Sequence, residues 1–246
     1  MNALPGKVTL ITGSSRGLGR GLALALADRG VRILVNYLTQ TEQARETVEL
    51  IRGKGQQAVA LQGDVREWRQ VRELMKKAAA EWGQIDFLIN NVGDFVFKKL
   101  NDVSVDDWNG MINSNLNSCF NCCKAVLPYM REQKYGRIIN IGLANAGVKA
   151  YENVVPYAIA KTGVYILTKS LAVSEAQHGI TVNVVAPGLM DNDSLSEKQI
   201  QEISRSVPMG RAGTPDDLAG AVLYLLSDAA QYVTGTEIIV SGGWGL

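Results

Sequence analysis

The sequence predicts one α/β domain over residues 1–246, built on a seven-stranded, mainly parallel, doubly wound sheet with helices on both faces. Three observations predict it. Seven short, β-rich apolar runs alternate with helix-length segments along the whole chain. Most of those runs are continuously apolar rather than alternating, as expected for strands covered on both faces. No Pro/Ser-rich linker and no repeat of about 20–50 residues divides the 246 residues, and 46% hydrophobic content suffices for a sizeable core.

The strands are expected at Val8–Thr12, Val31–Tyr37, Gln57–Leu61, Ile85–Asn90, Arg137–Ile141, Thr181–Ala186 and Glu237–Val240. Between them, Leu18–Arg29 is rich in Ala and Leu, and Gln40–Lys54 and Arg66–Trp82 carry mixed charge. Val105–Gln133 and Val155–Gln177 read as longer helices. Thr214-Pro215-Asp216-Asp217 places a hydroxyl cap, a proline and two acids at the start of an apolar helix through Leu226. Residues Gly188–Gly210 break the rhythm as an insertion. Within it Ile200, Ile203 and Val207 recur at helical spacing, which fits a short lid over a crevice or a simple surface excursion.

Lys plus Arg exceed Asp plus Glu by 25 − 24 = 1, so no basic excess points to nucleic acid or an anionic membrane. The start lacks a signal-peptide pattern, and no run reaches the roughly 18 apolar residues of a membrane helix. Cys119, Cys122 and Cys123 lie in one segment, far from the only histidine, His178, and read as small apolar side chains on a buried helix rather than a metal or redox site. No metal site is expected. From these absences a soluble, reducing, cytoplasmic setting is expected.

Thr12-Gly13-Ser14-Ser15-Arg16-Gly17-Leu18-Gly19 follows the first strand and opens the first helix. Glycines there let the backbone turn and approach a pyrophosphate, while the helix N-terminus offers free N–H groups to the anion. With the spacing G-x-x-x-G-x-G, the turn resembles that of the short-chain dehydrogenase/reductase family. Asp64-Val65, Asn90-Asn91-Val92-Gly93, Asn115, Tyr157-Ala-Ile-Ala-Lys161, Pro187-Gly188 and the tail from Val233 to Trp244 continue the likeness in order. The run Gly179–Gly188 and the stretch from Gly210 most resemble 3-oxoacyl-acyl-carrier-protein reductases.

The resemblance implies a Rossmann fold and a nicotinamide cofactor. The cofactor would be held by Gly13, Ser15, Arg16, Gly17, Leu18, Gly19, Asn36, Tyr37, Asp64, Val65, Asn91, Gly93, Tyr157, Lys161, Pro187, Gly188 and Met190. The second strand ends Asn36-Tyr37-Leu38 without the acid that NAD-binding relatives use, and Arg16 is available to a 2′-phosphate, so NADP(H) is favoured over NAD(H).

Tyr157 and Lys161 are four apart and share a helix face, so the ammonium is expected to lower the phenol pKa. Tyr157 would act as general acid toward a carbonyl oxygen. By resemblance, Lys161 also holds the nicotinamide ribose and Asn115 supports a proton relay. The serine that relatives carry about thirteen residues before the tyrosine is absent: Gly142, Leu143 and Ala144 have no hydroxyl. Asn145 reaching in as the donor, a substrate needing less polarisation, and a loss of activity all remain open.

The resulting expectation is NADPH-dependent reduction of a 3-oxoacyl thioester or similar ketone. Alternatives are an enoyl-thioester reductase, loosely resembled at Tyr151-Glu152-Asn153, and a weakly active or inactive cofactor sensor. Lys134 and His178 stand where the reductases carry basic carrier-docking groups near the substrate entrance, so that surface looks weaker. Relatives commonly form homotetramers or homodimers. The apolar helix Leu218–Leu226 and the Trp244-Gly245-Leu246 end fit assembly or an ordinary core equally.

Overall fold

Strand-forming runs of Val, Ile and Leu fold into seven strands: β1 Val8–Ile11, β2 Arg32–Tyr37, β3 Ala58–Gln62, β4 Phe87–Asn90, β5 Gly136–Ile141, β6 Ile180–Pro187 and β7 Glu237–Val240. The structure is a computed structural model and describes residues 4–191 and 195–245. The strands form one sheet in the order β3-β2-β1-β4-β5-β6-β7, with every pairing parallel. Strand order reverses between β1 and β4. In sheets of this kind a crevice opens there, at the carboxyl ends of the strands.

Helices α1 (Gly17–Ala27), α2 (Thr41–Gly53) and α8 (Pro215–Leu226) cover one face, and α3 (Trp68–Trp82), α5 (Ser118–Gln133) and α6 (Val155–Glu175) the other. The period-two geometry of the strands divides the core between them. Ile33, Val35, Phe87 and Ile89 bury toward the first face, and Leu10, Leu34 and Leu88 toward the second. Burying aliphatic side chains on both faces stabilises the fold by about 1.5–3 kcal/mol each. The cysteines on α5 are free and buried in the second core, as their sequence context suggests.

One of the expected helices differs. The segment Val105–Gln133 is not one regular α-helix: α4 (Val105–Ile112) passes through a π-helical stretch, Asn113–Asn117, into α5. A wide turn of this type is common at functional positions, and here it contains Asn115. Of the two readings open for Leu218–Leu226, the structure has the ordinary core: Leu218, Val222, Leu225 and Leu226 of α8 are buried. Helix α8 lies so close to α1 that a Cβ on Gly21 would clash with Pro215. Its start follows the expected cap, with Thr214 and Asp217 exchanging hydrogen bonds.

In the insertion, Ser196 caps α7 (Glu197–Ser206), and Val207 anchors the segment against Gly242 of the tail. Residues 192–194 of the insertion, like 1–3 and Leu246, lie outside the described residues. Among the described residues no helix is long and apolar enough to cross a membrane.

Candidate active site

The glycine turn is fixed from below by three strands. Asn36, buried at the end of β2, accepts from Gly13 N at 3.2 Å. Its amide donates to the carbonyls of Leu61 and Gly63. Thr12 Oγ1 accepts from Asn91 N and Val92 N, and Asn91 Nδ2 donates to the Thr12 carbonyl at 3.0 Å. On the outer side Thr47 donates to the Ser15 carbonyl at 3.1 Å. A Cβ on Gly19 would lie 2.5 Å from the Gly13 carbonyl, so only glycine lets α1 begin this close to the turn. Gly13 and Gly17 both hold positive φ, 60° and 55°.

The turn separates two clefts that share Gly13, Arg16, Asn91 and Gly93. Ser15, Asn36, Tyr37, Asp64 and Val65 line one side. Gly17, Leu18, Gly19, Tyr157, Lys161 and Pro187 line the other. Fifteen of the seventeen residues expected at a cofactor therefore meet at the crevice. The two exceptions have packing reasons. Gly188 lies against Ser241, where a Cβ would come 2.7 Å from the serine Cβ, and its N–H donates to the Val240 carbonyl. Met190 bridges Gly213 and packs against the core beneath α8.

Asn36 also differs in kind. Its amide is spent on protein backbone, so it shapes the cleft rather than presenting a free group. Arg16 is exposed in extended conformation at the mouth of both clefts. Arg66 was not singled out by sequence. It grips Asp64 with two arms, at 2.9 and 2.8 Å, and thereby holds that carboxyl below its usual pKa and neutralises its charge in the cleft. The signal was available as an arginine two residues after the acid.

Tyr157 and Lys161 point from α6 into the second cleft. Lys161 is buried and donates to the Ile141 carbonyl at 2.8 Å. Burial pulls its pKa down from the usual 10.5 to about 8. The expected lowering of the Tyr157 pKa is not found: burial pushes the phenol up to about 12, and the charge of nearby Tyr151 acts in the same direction. The Lys161 ammonium stands 5.5 Å from the ring centre and is tied to the carbonyl, too far to offset burial.

Asn115 lines neither cleft, yet it reaches one from behind. The π turn brings its Oδ1 under Gly93, where an added Cβ would collide with it and stand 3.4 Å from Lys161 Nζ. Its amide donates to the Asp94 and Met111 carbonyls, while Oδ1 is buried without a partner among the described residues. An unpaired buried acceptor beside a buried ammonium suits a proton path.

The segment that lacks serine is built differently from the expectation. Asn145 sits at φ 60°, and its amide donates to the Gly245 carbonyl at 3.0 Å, so it is committed to the tail. The side chain that returns to this segment is Tyr151, whose hydroxyl donates to the Ala144 carbonyl. Phe95, 59% exposed, packs edge-on against Tyr157 at 5.2 Å, and Lys98 N bonds the Asn153 carbonyl, joining the two loops beside the tyrosine. No residue of α7 lines either cleft. Lys134 and His178 stand near the amino ends of β5 and β6, at the opposite edge of the sheet from Tyr157, and do not flank this mouth.

Fold and crevice together define a doubly wound α/β protein with a dinucleotide-type turn at its switch point. A family profile described as enoyl-(acyl carrier protein) reductase matches residues 13–245. A 3-oxoacyl-(acyl-carrier-protein) reductase of Staphylococcus epidermidis is 38% identical over 240 residues, 96% of this chain and 98% of that protein. One from Synechocystis is 38% identical over 244 residues, 99% of this chain and 98% of the relative. A solved short-chain dehydrogenase/reductase from Serratia marcescens superposes with a TM-score of 0.93 at 28% identity, each chain covered completely. The chain belongs to the short-chain dehydrogenase/reductase family of oxidoreductases.

Proposed function

We propose that this protein reduces a carbonyl group with NADPH, Tyr157 serving as the general acid. One observation carries the reading: Tyr157 and Lys161 open into the same crevice as the glycine turn. The residues present fit a dinucleotide. Gly13 and Gly19 let the turn and the start of α1 close against Val92 and Asn91, the side of the turn at Gly17 stays open, and Gly93 lets Asn115 Oδ1 come close beneath the loop near the ammonium. A nicotinamide bound there supplies the hydride.

Gly13, Gly17, Leu18 and Gly19 would take the pyrophosphate, Asp64 and Val65 the adenine side, and Arg16 the 2′-phosphate. With its pKa near 12, Tyr157 keeps its proton throughout the neutral range and holds it ready for the carbonyl oxygen. Lys161, a buried ammonium, would hold the ribose, and Asn115 would support a relay through water that returns the proton to the tyrosine. The similarity to 3-oxoacyl-(acyl-carrier-protein) reductases makes a 3-oxoacyl thioester the first substrate to try.

The test is a steady-state panel of 3-oxoacyl thioesters, diketones and quinones with NADPH, run on wild type and Tyr157→Phe. Turnover that drops by several orders of magnitude in the variant supports the assignment. Equal turnover by the variant removes Tyr157 from the chemistry, and NADPH binding without turnover of any carbonyl favours a sensor.

Self-association is also proposed. Ile159, Ile166 and Val173 recur every seven residues along α6 and are 45%, 57% and 84% exposed. Such a stripe suits a helix-to-helix contact between copies.

A further inference from the structure

We propose that Tyr151 supplies the hydroxyl that holds and polarises the substrate oxygen, doing from a different backbone position what a serine does in relatives. The inference rests on the carbonyl-reductase reading above.

Three observations carry it. Gly142, Leu143 and Ala144 offer no hydroxyl, and the neighbouring amide of Asn145 is occupied by the Gly245 carbonyl. The Tyr151 side chain instead folds back over the loop, and its O–H donates to the carbonyl of Ala144, thirteen residues before Tyr157. That places a phenolic oxygen at the segment where the missing donor belongs. The ring is held there by contacts of its own. Trp244 packs against it at 6.5 Å with 37° between the planes, and Lys149 Nζ stands 6.0 Å from its centre and 5.0 Å from that of Trp244.

The chemistry balances without further reactants. On substrate binding, the Tyr151 O–H exchanges the Ala144 carbonyl for the substrate oxygen as its acceptor. The hydride then reaches the carbonyl carbon, the C=O π electrons move to oxygen, and Tyr157 gives that oxygen its proton. Tyr151 keeps its own proton throughout and stabilises the charge that develops. A phenol donates a hydrogen bond more strongly than a serine hydroxyl because it is the stronger acid, with a pKa of about 10.

Tyr151→Phe keeps the ring and its contact with Trp244, and removes only the donor. The expected result is a fall in kcat of roughly 10²–10³ with NADPH affinity, measured by cofactor fluorescence, within about twofold of wild type. Adding Leu143→Ser or Ala144→Ser to that variant is expected to recover at least part of the loss. A kcat within about threefold of wild type overturns the proposal. So does a loss of turnover matched by a loss of NADPH affinity, which marks a structural role.

A second measurement does not depend on activity. The Tyr157 titration is read from tyrosinate absorbance, as the difference between a protein and its Tyr157→Phe counterpart. Tyr151→Phe is expected to shift it. A titration left unchanged shows that the two hydroxyls do not share a space, and overturns the proposal. If instead Tyr157→Phe retains turnover, the general-acid reading fails by itself, and the titration still decides where Tyr151 stands.

Discussion

Gly93 covers the Oδ1 of Asn115: no side chain fits between the loop after β4 and the π turn, and the oxygen faces the Lys161 ammonium across that gap. Gly93→Ala forces the asparagine or the loop to move, an overpacking that costs about 1–3 kcal/mol locally. The expected outcome is NADPH binding weakened about tenfold or more, measured by fluorescence titration, with a far-UV spectrum like that of wild type.

Lys161 gives a prediction about stability and pH. Its pKa falls from 10.5 when unfolded to about 8 when buried, so the folded state binds protons less readily between those values. Below pH 8 the full cost applies, about 3 kcal/mol at 1.36 kcal/mol per unit, offset by about 1 kcal/mol from the Ile141 hydrogen bond. Stability therefore rises with pH from about 8. It falls again above about 10, where the unfolded tyrosine ionises and Tyr157, at about 12, does not. Lys161→Met should be inactive yet about 2 kcal/mol more stable at pH 7, and should lose the rise above pH 8. Urea midpoints at pH 7 and 9.5 measure both effects.

Arg16 separates the two cofactors. A charge-assisted contact to a phosphate contributes about 1.5–3 kcal/mol. Arg16→Ala is expected to weaken NADPH binding roughly 10–100-fold and NADH binding little, as calorimetry would show. Equal effects on both would remove the 2′-phosphate from its role.

Phe95 packs edge-on against Tyr157 and remains 59% exposed, so an exposed apolar ring stands beside the proposed general acid. Phe95→Ala is expected to raise KM about tenfold for long-chain or aromatic ketones and to leave the smallest ketones nearly unaffected, NADPH affinity being unchanged. A uniform change across the series contradicts this.

The α6 stripe makes a solution prediction. Ile166→Asp places a charge in the middle of the proposed contact and should shift sedimentation toward a smaller species. A wild type that already sediments as a monomer contradicts the proposed self-association.

Much of this protein is readable from local pattern. Continuous apolar runs such as Phe87–Ile89 and Val184–Ala186 require cover on both faces, and the parallel sheet follows. The turn Gly13–Gly19 and the four-residue spacing of Tyr157 and Lys161 are short-range, so their places on a helix start and on a helix face are encoded within a few residues. The π turn at Asn115 escapes such reading, because helical spacing on either side of it is intact.

By itself the sequence determined the sheet, its helices and the strand ends where the crevice opens, because periodicity and turn chemistry act over neighbouring residues. Tertiary structure alone decided the state of the groups inside that crevice. Tyr157 is driven toward pKa 12 by what surrounds it, and Asn36 is drawn into the backbone of β3. Asn145 is taken by a carbonyl 100 residues away, and the Tyr151 hydroxyl comes back to Ala144 across its own loop. Burial and pairing are properties of the space a side chain enters, and that space is assembled from residues distant in the chain.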